Sequence, residues 1–263
     1  MPTLSVDGAR IYYELAGEGP AVVVTAGQGT GPQARQALID GLARRHTVLT
    51  YDPRGTGRSD PVPQGHDIET LAQDVLALMD AVKFEKARVI GLSTGTGKAT
   101  VLAAQHPDRV ERLILAAPWT HGDPEFFILQ NLRKAAARTM PPEHYAHFNA
   151  LLLYCPAYRR EHAEQFAEMA RRAIGLQQDA EGTAARLDAI LRFDARPLYG
   201  RIACPTLVFG ARDDLVMPLW FAQDAARAIP GAPDHHRRRR PHVLRIAHRC
   251  ISARRPALSG LTD

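Results

Sequence analysis

A chain of 263 residues, 45% of them hydrophobic, can form one large α/β domain with a sizeable core or two small domains, and one domain is the expectation. The net charge of +5 would suggest a polyanionic partner. However, residues 233–263 hold eight Arg, no Lys and only two acids, Asp234 and Asp263, so the basic character belongs to that tail and the rest is nearly neutral.

No apolar run reaches the roughly 20 residues that span a bilayer. The opening MPTLSVDGARIYYELAG has neither the basic nor the apolar stretch of a secretory signal. Cys155, Cys204 and Cys250 are scattered and form no paired framework, which fits a reducing compartment; a soluble, cytoplasmic protein is expected.

In chain order, ARIYYELAG alternates as a strand does, PAVVVTAG is a short buried apolar run and HTVLTYD is another. Between the last two, GPQARQALIDGLARR has helical spacing. DIETLAQDVLALMDAV places Ile68, Leu71, Val75, Leu76 and Met79 on one helical face, followed by the strand KARVIGLS and the helix GKATVLAAQHP. VERLILAAP and CPTLVFGARDD read as further strands and WFAQDAARAIPGA as a helix. This alternation predicts a doubly wound, mostly parallel sheet. From about Trp119 to Arg196 the strand signal gives way to helical spacing, which predicts an insertion between two strands. The expected organisation is a core over 1–118 and 197–232, a helical cap over 119–196 and an atypical tail over 233–263.

VIGLSTGTGKAT invites two readings. A phosphate loop needs G-x-x-x-x-G-K-[ST], but Leu92 stands where the first Gly belongs and Ala99 where the hydroxyl residue belongs. The other pattern fits: Gly91-Leu92-Ser93-Thr94-Gly95 is G-x-S-x-G between a predicted strand and a predicted helix. A serine on so sharp a turn sits in strained backbone, and side chains at the flanking positions would collide with neighbouring elements. Its hydroxyl then projects at the carboxyl edge of the sheet, beside helix amides that can meet a developing negative charge. The plainer reading is a Gly-rich turn with a capping serine.

TAGQGTG, YDPRGTGRSD, GLSTGTG and LVFGARDDLVMP, in that order and spacing over about residues 8–232, resemble the α/β-hydrolase fold superfamily. The resemblance implies Ser93 as nucleophile, Asp213 in Gly210-Ala211-Arg212-Asp213 as the triad acid with Asp214 as its neighbour, and a histidine base. Ala26 replaces the family's histidine before Gly27-Gln28-Gly29, which leaves the backbone amides of Gln28 and Thr94 as the implied oxyanion hole. Asp52 and Arg54 are implied organisers of a tight loop. The reaction implied is hydrolysis of a small ester, lactone or similar acyl compound through an acyl-enzyme, with no cofactor and no nucleic-acid or membrane partner. A cofactor-free perhydrolase or haloperoxidase on the same triad is the same-fold alternative. A non-catalytic binding protein with a basic arm is the alternative of another class.

Trp119, Asp123 and Phe127 resemble a branch containing aminoacrylate hydrolase and the enol-lactone hydrolases, which would put Trp119 and Phe127 against the substrate. The competing reading makes Trp119, Phe126, Phe127, Tyr145 and Phe148 core of the cap. His121, His144, His147 and His162 lack carboxylates at ligand spacing, so no metal site is expected.

In this family the base follows the last core strand, often in a Gly-Gly-His loop. This chain instead reads APDHHRRRRPHVLRIAHRC, with neither an apolar strand nor that loop expected. His235, His236, His242 and His248 are candidates, and His242 stands nearest the expected place. Three accounts compete: an anion-binding arm, a divergent loop that keeps His242, and a shifted reading frame, the preferred one. Off-frame GC-rich codons give Arg, Pro and His, and freely chosen codons for residues 233–241, read one base later, can spell a strand ending in Gly-Gly-His.

Overall fold

The computed structural model describes residues 2–27, 32–61, 67–175, 179–230 and 242–247. The chain opens with β1 (Thr3–Val6), β2 (Ala9–Ala16) and β3 (Ala21–Thr25), then α1 (Pro32–Ala43), β4 (Thr47–Tyr51) and α2 (Ile68–Ala81). Next come β5 (Ala87–Leu92), α3 (Gly95–Gln105) and β6 (Val110–Ala116). The cap supplies α4 (Pro124–Thr139), α5 (Pro142–Leu153), α6 (Pro156–Glu161), α7 (Ala163–Ala173), α8 (Ala180–Arg192) and α9 (Arg196–Tyr199). β7 (Thr206–Ala211), α10 (Leu219–Ala228) and β8 (His242–Ala247) complete the order.

The strands form one eight-stranded sheet in the order β1-β2-β4-β3-β5-β6-β7-β8. β1 pairs antiparallel with β2 and β2 antiparallel with β4, and every pair from β4–β3 onward is parallel. Strands covered on both faces need apolar side chains on both, which is why β3 reads Val22-Val23-Val24, all three buried. The alternating doubly wound architecture and the helical cap before β7 agree with the sequence reading.

Helix α2 starts at Asp67, whose carboxylate accepts the Thr70 amide at 2.6 Å, with Glu69 in the first turn to suit the helix dipole. Its buried face holds Ile68, Ala72, Val75, Leu78 and Met79, together with Asp74. Leu71 and Leu76, expected on that face, are only half-buried. Helix α3 is buried from Gly95 to Ala104. Small residues let it lie close beneath β3, β5 and β6.

Two expectations change. The tail does supply a strand: β8 pairs in parallel with β7 from Thr206↔His242 to Ala211↔Ala247. Its apolar run, Val243-Leu244 and Ile246-Ala247, is short and broken by Arg245, so the surrounding Arg and His residues mask it in the sequence. The cysteines are not all unpaired either, since Cys155 is disulfide-bonded while Cys204 is a buried free thiol. Among the described residues, no helix is long and apolar enough to cross a membrane.

Candidate active site

Neighbouring β3 and β5 send the chain in opposite directions, β3 towards β4 and β5 towards β6. Such a switch point opens a crevice at the carboxyl ends of the strands. Ser93 follows β5 there and Gly27 follows β3. Ser93 has φ +52°, a left-handed backbone that a non-glycine residue holds only when its surroundings enforce it.

The enforcement is visible. The Ser93 amide donates to the Ala116 carbonyl at 2.8 Å, and the Ser93 carbonyl accepts from the Thr96 amide and hydroxyl at 2.9 and 2.6 Å. A Cβ on Gly91 would lie 2.7 Å from the Thr96 Cα, and one on Gly95 would lie 1.9 Å from the Thr25 carbonyl oxygen. The Thr25 hydroxyl donates to the Gly95 carbonyl at 2.8 Å. The glycines of G-x-S-x-G are thus forced by backbone packed on backbone.

Gly27 brings the loop after β3 against the serine: a Cβ there would sit 2.7 Å from Ser93 Cβ and 3.3 Å from Ser93 Oγ. Gln28, the next residue, lies outside the described residues. Thr94 is the N-cap of α3, so its amide belongs to the helix end that favours negative charge.

Lys98, on the helix that follows Ser93, enters the sequence reading only as part of the rejected phosphate loop. It is 4% exposed, its Nζ donates to the Ala26 carbonyl at 3.2 Å, and it lies 5.4 Å from the centre of the Tyr51 ring. Burial pushes its pKa down to about 8, with nearby Asp74 opposing the shift.

Asp52 and Arg54 have structural work. The Asp52 carboxylate accepts the Arg58 amide at 3.0 Å and Nε at 2.9 Å, and a Cβ on Gly57 would meet it at 2.5 Å. Burial pushes its pKa up, but the Arg58 hydrogen bonds outweigh that and hold it below the usual carboxylate value. Arg54 forms a two-pronged pair with Asp74, Nε to Oδ2 at 2.6 Å, with side chains 3% and 2% exposed. A charge on the core face of α2, between Ala72 and Val75, was the available signal for this pair.

After β7, Asp213 and Asp214 are both half-buried. Asp214 Oδ1 accepts the amides of Val216 and Met217, each at 2.9 Å, which makes it part of its own turn. His242 needs correction as the base. It opens β8 opposite Thr206, at the amino end of the sheet, whereas Asp213 lies beyond the carboxyl end. Five residue steps of strand, about 17 Å, separate the two ends. His235, His236 and His248 lie outside the described residues.

Trp119 also changes role. It is 1% exposed, its indole donates to the Ile190 carbonyl at 3.2 Å, and its ring lies 5.5 Å from that of Phe193. It is a sealed core residue rather than an open pocket wall. Phe127 is exposed on α4 beside Gly122. Asp123 caps α4 through the Phe126 amide at 2.7 Å and accepts the Trp220 indole at 3.0 Å. His121 and His162 engage Thr120 and Tyr158, and no three potential metal ligands gather among the described residues.

Comparison with known proteins identifies the family. RutD of Azorhizobium caulinodans, named as a carbamate hydrolase, is 31% identical over 232 residues, 88% of each chain. RutD of Caulobacter segnis is 33% identical over 240 residues, again 88% of each. The crystal structure of the enol-lactonase from Burkholderia xenovorans LB400 superposes with a TM-score of 0.82 at 29% identity, over 99% of this chain and 97% of that one. The family model for the alpha/beta hydrolase fold matches residues 20–248, so the chain belongs to the α/β hydrolase family and is an enzyme of hydrolase type.

Proposed function

We propose that the chain is a serine hydrolase of a small acyl compound, a carbamate, lactone or ester, acting through an acyl-enzyme on Ser93. The observation that carries this reading is Ser93 at φ +52° in the switch-point crevice with the Gly27 backbone against its hydroxyl. Ser93 attacks the substrate carbonyl, and the amides of Gln28 and Thr94 receive the developing oxyanion. A histidine takes the serine proton and returns it to the leaving group, while Asp213 fixes the imidazole tautomer. Water then releases the acid. Phe127, exposed on α4, supplies an aromatic contact to the substrate.

For the base we propose His248 in place of His242. It directly follows Ala247, and Ala247 pairs with Ala211, two residues before Asp213. The names of the relatives make carbamates and lactones the first substrates to try.

The test is labelling with a fluorophosphonate probe, followed by turnover on a carbamate and lactone panel. The wild type should label and Ser93→Ala should not. His248→Ala should slow labelling by about 10²-fold or more, since general-base assistance contributes that much, with His242→Ala near wild type. Labelling that survives Ser93→Ala rejects the nucleophile. A silent His248→Ala beside an inactive His242→Ala rejects the base.

A further inference from the structure

Lys98 stands on the first turn of α3, where every other residue from Gly95 to Ala104 is Gly, Ala, Thr, Val or Leu. A buried ammonium among such residues loses its hydration, and one hydrogen bond does not replace it. Its retention calls for a role, and its position indicates one.

The segment Thr25–Gly27 is tied to the serine turn in three ways. The Thr25 hydroxyl holds the Gly95 carbonyl, Gly95 packs directly on the Thr25 and Ala26 carbonyls, and Lys98 Nζ donates to the Ala26 carbonyl. Only the last contact depends on a charge. A peptide is planar, so the Ala26 carbonyl cannot turn without turning the Gly27 amide with it. Gly27 is in turn the residue whose backbone lies against Ser93.

We propose that Lys98 is a positioning residue: by holding the Ala26 carbonyl it fixes the Ala26–Gly27 peptide, and thereby the place of the Gly27 backbone against Ser93. The proposal rests on Ser93 being the nucleophile. Lys98 does not touch substrate; it acts through the loop.

Its surroundings make the contact sensitive to pH. Asp74 on α2 favours the charged amine, and Arg35 on α1 opposes it. Arg54 is engaged by Asp74. From β4, Tyr51 offers its ring, while burial keeps its phenol protonated and its hydroxyl has no hydrogen-bond partner among the described residues. Burial brings the lysine titration down to about 8, so mildly alkaline solution turns a charge-assisted hydrogen bond into a weaker neutral one.

The test compares the full-length wild type with Lys98→Met, which keeps the length of the side chain and removes the charge. Three quantities are followed: the rate of fluorophosphonate labelling at Ser93 from pH 6 to 10, amide exchange over residues 21–35, and the thermal midpoint. The expected result is labelling at least about tenfold slower, the magnitude of losing one charge-assisted contact, without the wild type's decline above pH 8. Exchange in the loop should be faster and the thermal midpoint no lower. Labelling and exchange equal to wild type would overturn the proposal, as would a fall in midpoint that accounts for the lost activity. A wild type that fails to label at Ser93 refutes the nucleophile instead, and loop exchange in Lys98→Met still decides what Lys98 does.

Discussion

Around Ser93 the constraints are short, buried and largely steric: glycines pressed against carbonyls and the sealed Arg54–Asp74 pair. The cap adds surface ion pairs between α4 and α8, where Arg138 meets Glu181 and Lys134 meets Asp188, to an apolar interior that includes Phe126, Leu187 and Ile190. Its interior is less completely satisfied. Of the four buried polar side-chain atoms without a hydrogen-bond partner among the described residues, Gln130 Nε2, Arg133 Nε and Arg159 Nη1 are in the cap. Solvent and salt screen surface charges but cannot relieve a backbone collision. Ser93 is therefore held by contacts that tolerate no adjustment, whereas the surface pairs of the cap do tolerate it.

The same substitution in the two regions gives the sharpest contrast. Gly95→Ala drives a methyl group to 1.9 Å from a carbonyl oxygen and should destabilise by more than about 4 kcal/mol or abolish folding. Gly200→Ala, at the end of α9 with φ −63° and open space around it, should stabilise by about 0.5 kcal/mol through the unfolded chain. Urea unfolding of both variants checks the pair, and equal effects would erase the distinction.

Breaking one ion pair in each region comes next. Arg54→Ala removes the two-pronged ion pair of the buried Asp74 and should cost about 3–5 kcal/mol. Arg138→Ala removes a pair whose side chains are 48% and 77% exposed and should cost less than about 1 kcal/mol. A large loss at Arg138, measured by the same unfolding curves, would show that the cap is held as rigidly as the serine turn.

A third contrast is a pH dependence confined to the buried side. Lys98 titrates near 10.5 when unfolded and near 8 when folded. Between those values the unfolded chain binds the extra proton, so stability rises with pH across that window and the burial penalty is complete below it. The gain approaches about 3 kcal/mol. Subtracting the pH profile of Lys98→Met from that of the wild type isolates it, and parallel profiles would show that the ammonium is better solvated than its burial implies.

Much of this was legible in the sequence because the serine turn obeys local rules. β-Branched runs such as Val22-Val23-Val24 read as strands, and Gly91, Ser93 and Gly95 read as a turn, since the forces that fix them act over a few residues. What escaped depends on distant partners. β1 is short and half-exposed, Lys98 is explained only by Ala26 across the crevice, and Asp74 is explained only by Arg54. Trp119 looked like a pocket residue until the Ile190 carbonyl and Phe193 were seen to close over it. β8 was missed because a strand of six residues draws on β7 for its register more than on its own pattern.

The packing of Trp119 also gives the molecule a built-in optical reporter. A Cβ on Gly97, in the first turn of α3, would lie 2.6 Å from the Trp119 ring, so the indole is pressed on the helix that begins just after Ser93. The chain has one other tryptophan, Trp220, which is 43% exposed. Iodide should therefore quench Trp220 first and leave a blue-shifted residual emission from Trp119. Loosening of the helix behind Ser93 would move that residual emission to the red, giving a spectral readout of this region in a single cuvette without any substrate.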